Sequence, residues 1–325
     1  MIKEFNFILL ILCISALTGC LKEELPIEPH QQGEVLTNQV DMGSDYGSQI
    51  YFNLNDNSVV GQNLRTDWDI AFEARTSGWH VLLNSSLGGK AANTGETDFN
   101  LVVGLTGNEN WNVDNPTGNL DSTAVGDYLS TGEVFIIDRG YDISGNPLGY
   151  KKVQIDYLST SDSYQFRCSS FDGSSDTNLI ISKDTNYNFI AFSFNSNSLI
   201  DIEPVKTSWD LLFTKYLEIF PGFGPYGVTG VLTNNFQTTQ VAIDTVNDFE
   251  SISYDLIQQY EFSLDMNAIG WDWKQYDMSS GTYTVDVTKN YIVKNQNGLY
   301  FKLRFIDFYD DIGEKGAPKF ELQKL

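Results

Sequence analysis

The chain has 325 residues, with 20 Lys and Arg against 43 Asp and Glu, a net charge of −23. A surface this acidic repels phosphate backbones and anionic headgroups, so nucleic acid is not expected as a partner. Of its three cysteines, Cys13 and Cys20 fall in the leader region, leaving Cys168 alone. No intramolecular disulfide and no Cys-based zinc or redox site can then be built.

At the start of the chain, Phe5 to Leu17 form a nearly unbroken apolar run behind Lys3, closed by Leu17-Thr18-Gly19-Cys20. A run that short, with a positive lead and small residues at its end, predicts a signal peptide over 1–19 rather than a membrane span. Its removal takes one Lys and one Glu, so the remaining chain keeps a charge of −23. Cys directly after Thr-Gly resembles the lipobox of bacterial lipoproteins, which implies cleavage before Cys20 and acylation of its sulfur and new amino terminus. Each buried methylene contributes about 0.8 kcal/mol, so several chains hold a protein where one holds it marginally. Residues 20–44, with Pro26, Pro29 and many polar side chains, read as a flexible lipid-anchored tether. Lys22-Glu23-Glu24 resembles the charged signal that sends lipoproteins of the Bacteroidota to the outer face of the outer membrane.

Beyond the tether the chain contains itself twice. Tyr46–Phe72 aligns with Tyr187–Phe213 without a gap, pairing Tyr51 with Phe192 and Trp68-Asp69-Ile70-Ala71-Phe72 with Trp209-Asp210-Leu211-Leu212-Phe213. Further on, Ala124-Val125-Gly126 echoes Ala268-Ile269-Gly270, and Tyr150 and Lys152 echo Tyr300 and Lys302. The period is far longer than that of solenoid repeats, which predicts two repeats over 45–178 and 179–325. Most of each reads as β. Leu179-Ile180-Ile181 and Phe189-Ile190-Ala191-Phe192 are strand-like, split by Lys183–Asn186. Tyr291–Val293 and Leu299–Phe308 flank a segment ending in Asn297-Gly298, a strong hairpin signal. Along the second arm Leu299, Phe301, Leu303 and Phe305 alternate with Tyr300, Lys302, Arg304 and Ile306, the period of a half-buried strand. One helix is expected over Phe249–Tyr260, where Phe249, Ile252, Leu256, Ile257 and Tyr260 share a face. The expected class is all-β: two related antiparallel repeats with one or two short helices.

Six segments in order carry a resemblance that covers nearly everything from Tyr46 to Leu325. They are the two Trp-Asp segments, Gly230–Asn234, Ile269–Lys274, and Tyr300–Phe305 followed by Gly313–Gly316. Together they resemble the HmuY family of Bacteroidota lipoproteins. The resemblance implies a β-rich fold that grips haem through axial His or Met ligands and passes it to a TonB-dependent outer-membrane receptor. Haem or a related tetrapyrrole is therefore the expected ligand, bound at the cell surface. Only two His are present, and His30 lies in the tether, so a bis-His pocket is not expected. Met278, Met266 and His80 are the axial candidates that the resemblance leaves, since thioether and neutral imidazole both ligate haem iron. Trp271, Trp273 and Tyr276 are candidates to lie against the porphyrin, and Arg304 and Lys274 to meet its propionates.

Other chemistry finds little material. There is no Gly-x-Ser-x-Gly, His-Glu-x-x-His or phosphate loop, and an enzyme is not expected. The alternating oxygens of Asn110–Asp114 lack the glycine of a calcium loop and read as a solvated turn. The Trp-Asp pairs read as structural, the indole packed inside and the Asp accepting backbone hydrogen bonds at a strand end. The competing reading of the whole is a surface adhesion, carbohydrate-contact or structural module without haem, supported by 17 Tyr, 21 Phe and 6 Trp. If Cys20 carries the anchor, Cys20→Ala leaves the product in the aqueous phase of a detergent partition, or as an uncleaved precursor. A processed Cys20→Ala product still in the detergent phase would contradict it.

Overall fold

A computed structural model of the chain describes residues 32–325, so the leader, Cys20, His30 and residues 20–31 of the expected tether lie outside the described residues, while Leu36–Gln39, expected in that tether, pairs as a strand with Lys319–Leu322. Twenty strands form among the described residues. In chain order the first are β1 (Leu36–Gln39), β2 (Ser48–Asn53), β3 (Ser58–Leu64), β4 (Ile70–Glu73), β5 (Val81–Leu83) and β6 (Lys90–Asn93). Next come β7 (Val134–Asp138), β8 (Tyr150–Leu158), β9 (Ser163–Ser169), β10 (Thr177–Ser182), β11 (Phe189–Ser193) and β12 (Ser198–Ile200). The last are β13 (Leu211–Phe220), β14 (Gly224–Thr233), β15 (Gln240–Asp244), β16 (Lys274–Asp277), β17 (Thr282–Val285), β18 (Asn290–Lys294), β19 (Tyr300–Tyr309) and β20 (Lys315–Lys324).

All pairings of these strands are antiparallel, and the predicted hairpin forms where its turn residues fall. Gly298, with φ of 75°, sits in the β18–β19 connection, a conformation that glycine adopts without steric cost. The helix predicted over Phe249–Tyr260 becomes two 3-10 segments, Phe249–Ser251 and Tyr254–Gln259, because Ile252 and Ser253 take extended backbone between them. Phe249, Ile252 and Ile257 are buried there, so the expected apolar face forms while a continuous helix does not.

The sheets group the strands into two sandwiches. One is continuous in sequence: a five-stranded sheet β10-β9-β8-β7-β6 and a four-stranded sheet β12-β11-β4-β5. Ile70, Phe72, Phe166 and Phe192 fill the space between them. The other joins the start of the chain to its end, as β1-β20-β19-β18-β15 and β14-β13-β2-β3, around Phe52, Phe213, Phe305 and Phe320. The strand orders correspond one to one, β4–β12 matching β13–β15, β18–β20 and then β1–β3; the hairpin β16–β17 is additional. The boundary expected at 178/179 falls within β10, and each expected repeat lends its first strands to sheets built by the other.

Contacts correspond as closely as the strand orders do. Asp69 Oδ2 accepts from Phe194 N at 2.7 Å, and Asp210 Oδ2 from Leu54 N at 2.9 Å. The backbone N–H of each Asp donates across the sheet, to Phe192 O and Phe52 O. Phe192 therefore answers to Phe52, not to Tyr51, and the ungapped alignment is one residue out along β2 and β11. Asn84 Nδ2 donates to Arg65 O and Trp68 O, and Asn234 Nδ2 to Lys206 O and Trp209 O. Lys152 and Lys302, aligned from sequence, are both buried and cap the turns Phe99–Val102 and Phe249–Ile252 by donating to their terminal carbonyls. Trp209 is buried as expected; Trp68 is only half-buried, its indole N–H donating to Gln49 Oε1 at 2.8 Å.

Removing either Asn amide strands two carbonyls inside the fold. Asn84→Ala and Asn234→Ala should each lower the unfolding free energy by about 2–4 kcal/mol in urea titrations, against less than about 0.5 kcal/mol for the exposed Asn55→Ala.

Candidate functional site

The axial candidates lie in three separate places. Met278 stands in the β16–β17 turn and is 90% exposed. Met266 is half-buried beside Leu232 and Trp271. His80 precedes β5 in the first sandwich. Of the expected contact residues, Trp271 and Lys274 line one open hollow of about 380 Å³ with Asp272 and Asp286. Trp273 is fully buried with its ring stacked on Phe305 at 3.9 Å, which makes it core rather than an open face. Tyr276 is exposed on β16. Neither cation is available as expected. Lys274 is buried and donates to Thr229 O, and Arg304 is paired with Glu321 at 2.7 Å and Glu250 at 3.0 Å. Burial pushes the Lys274 amine down to about 7.

His80 has the surroundings of a ligand. Opposite it, at the end of β4, Glu73 is completely buried. One carboxylate oxygen accepts His80 Nδ1 at 2.5 Å and His80 N at 3.1 Å, and the other accepts Arg75 Nε. Burial pushes the Glu73 carboxyl up, but the bonds from His80 and Arg75 outweigh it, and the net displacement is downward. An ionised Glu73 is acceptor-only, so the proton of a neutral His80 sits on Nδ1 and the lone pair is left on Nε2. Nε2 has no protein partner among the described residues. A buried carboxylate fixing the far nitrogen of an imidazole is the usual support of a metal-ligating His.

The loop 74–79 is folded around this pair. A Cβ at Gly78 would collide with the Glu73 carboxylate, so only glycine fits. Lys183 Nζ lies 3.6 Å from the centre of the Trp79 ring and donates to Arg75 O and Gly78 O, while Tyr128 Oη donates to Trp79 O at 2.5 Å. Trp79 and His80 together with Leu120, Tyr128 and Leu129 wall an open hollow of about 270 Å³. That is below the usual size of a pocket enclosing a whole ligand, so a tetrapyrrole would be seated there in part. The second sandwich lacks the pair: Thr214 and Gly230 face each other where Glu73 and His80 do. Glu73, Gly78 and Lys183 were missed from the sequence, although an acid closing the apolar strand Ile70–Phe72 was visible.

A third hollow lies between the sandwiches, where the outer faces of the two four-stranded sheets meet. This cavity of about 150 Å³ is lined by Tyr51, Trp209 and Leu212 from one sheet and Ala71, Leu82 and Phe189 from the other. Glu203 and Asp114 border it, each satisfied by protein donors. Glu203 accepts from Trp209 Nε1, Asn188 and Phe189 N, and Asp114 accepts from Leu83 N and Ala124 N. Asp114 is thus tied into the fold rather than standing in a solvated turn.

The family model described as HmuY protein matches residues 45–322. No curated protein matches. Among solved structures, apo PinO from Porphyromonas gingivitis is similar at 12% identity and TM-score 0.31, covering 90% of this chain and 97% of that one. The apo HmuY analog of Tannerella forsythia is similar at 12% identity and TM-score 0.26, covering 91% and 98%. A Bacteroides vulgatus protein described as an HmuY-like candidate for heme binding is similar at 14% identity and TM-score 0.25, covering 89% and 90%.

Burial pushes the Glu203 carboxyl up to about 7. The folded state then holds a proton that the unfolded chain has lost, so this group lowers stability as pH rises from about 4.5 to about 7. Melting curves over that range should show a flatter pH dependence for Glu203→Gln than for the unaltered chain; parallel profiles would contradict the assignment. On the match over 45–322, the chain belongs to the HmuY family.

Proposed function

We propose that the protein is a surface lipoprotein that binds haem or a related tetrapyrrole, with His80 as an axial ligand and Glu73 as the group that orients it. The single observation that carries this reading is the Nδ1 contact of 2.5 Å to a fully buried carboxylate, beside an aromatic hollow. Membership of the HmuY family supports the ligand class. When bound, haem would supply an iron centre that takes the free Nε2 lone pair. The chain's own part is to hold the imidazole tautomer, keep the Trp79 loop in place and offer aromatic surface. Met278, exposed on its turn, is the alternative ligand from the second sandwich, and Met266 a further one. Delivery to an outer-membrane receptor and anchoring through Cys20 belong to the same reading. The matched strand orders and the paired Asp, Asn and Lys contacts also support descent of the two sandwiches from one duplicated unit.

Haemin titrated into the purified chain should give a Soret band that saturates at a fixed ratio. His80→Ala should abolish or shift that band, Glu73→Gln should weaken binding about tenfold or more, and Met278→Ala should leave it unchanged. An unchanged spectrum in His80→Ala would remove His80 as the ligand. No saturable band in the unaltered chain would overturn haem binding and leave the surface-module reading.

A further inference from the structure

Outside the Trp79 hollow, the chain gathers cations where its composition makes them scarce. The chain has only 20 basic residues against 43 acidic ones. Arg65 has the carboxylates of Asp45 and Asp142 near it. It is 3% exposed, and its two terminal nitrogens donate to the carbonyls of Ser86 and Asp142, while its Nε has no partner. Lys215 lies beside it on β13, half-buried, and its Nζ makes no hydrogen bond or ion pair among the described residues. Burial lowers the Lys215 amine and the nearby Arg65 guanidinium lowers it further, so no protein anion compensates this charge.

Both side chains, with Lys90, line a hollow of about 370 Å³ between the β13–β14 hairpin and the turns at 85–88 and 141–145. Its two carboxylates are already engaged. Asp142 accepts from Ser144 N, Asn146 N and Asn146 Nδ2, and Asp45 accepts from Gly47 N. They compensate Arg65, but Lys215 has no such partner; a half-desolvated ammonium without a counter-ion is costly, and an external anion relieves it.

The hollow does not stand alone. Ser85, Lys215 and Leu217 line it and also the cavity between the four-stranded sheets. That cavity, at about 150 Å³, has the size of an engineered apolar void that accepts one benzene ring. The cationic hollow and the apolar cavity therefore adjoin, with Lys215 at their shared edge.

We propose that the two hollows open into one path that binds a small carboxylate with a single ring or a branched aliphatic body. The apolar part lies between the sheets and the carboxylate meets Lys215 and Arg65. A guanidinium and an ammonium converging on one carboxylate give charge-assisted bonds of roughly twice the strength of neutral ones. The site is separate from His80 and does not rest on haem binding.

Calorimetric titration of the whole chain with 3-phenylpropionate tests it, alongside 3-phenylpropionamide and acetate. The acid should saturate one site, and the amide, which lacks the charge, and acetate, which lacks the ring, should bind at least tenfold more weakly. Lys215→Gln, which removes the unpaired charge, should weaken the acid about tenfold, leave the amide unchanged and not lower the melting temperature. His80→Ala should leave the acid's affinity unchanged, whatever it does to haemin. Equal binding of acid and amide, no effect of Lys215→Gln, heats that never saturate, or loss of binding in His80→Ala would each overturn the proposal.

Discussion

The fold depends on a carboxylate clamp used twice. Asp69 and Asp210 each open a central strand, and each reaches across to the backbone N–H at the end of a hairpin from the distant half of the chain. Neither hairpin could pair within its own segment, because β2–β3 lies against β13 and β11–β12 against β4. Each clamp fixes the register of such a join, and a slip of one residue would turn every core side chain to the wrong face. The join then sets where the four-stranded sheets lie, and their outer faces enclose the cavity.

Chemistry appears where the two sandwiches cease to correspond. Asp69 is held by Arg139 at 2.8 Å, whereas Asp210 has no ion-pair partner among the described residues and burial pushes it up to about 6. Glu73 and His80 occupy the places of Thr214 and Gly230. A backbone carbonyl lies close over Gly230, and a Cβ there would strike Gly270 O, so the second sandwich has no room for an imidazole at that position. The scaffold is shared, and the polar pair is confined to one copy of it.

Much of this was legible in the sequence because it rests on local pattern. Alternation gave β8 and β19, Asn-Gly gave the β18–β19 turn, and the Trp-Asp segments gave the clamps. The pairing of distant strands was not legible, since a hairpin's partner elsewhere in the chain leaves no periodic mark. The helical face at 249–260 was visible, yet its carbonyls are drawn to Lys302, a residue that alternation placed toward solvent. Trp273 and Lys274 looked like a binding cluster for the same reason that they fill a core: aromatic surface with a cation at 4.1 Å from the ring centre. Glu73 was missed because a lone acid in a strand says nothing of its partner until the loop 74–79 is closed.

The central claim is that a carboxylate-oriented imidazole in the first sandwich takes the haem iron. Pulsed EPR of the ferric haem complex, with 15N-labelled histidine in a His30→Gln background, reports on it directly, because His80 is then the sole imidazole. The account predicts a 15N coupling characteristic of a directly bound ring nitrogen. A complex that forms with no such coupling would contradict it.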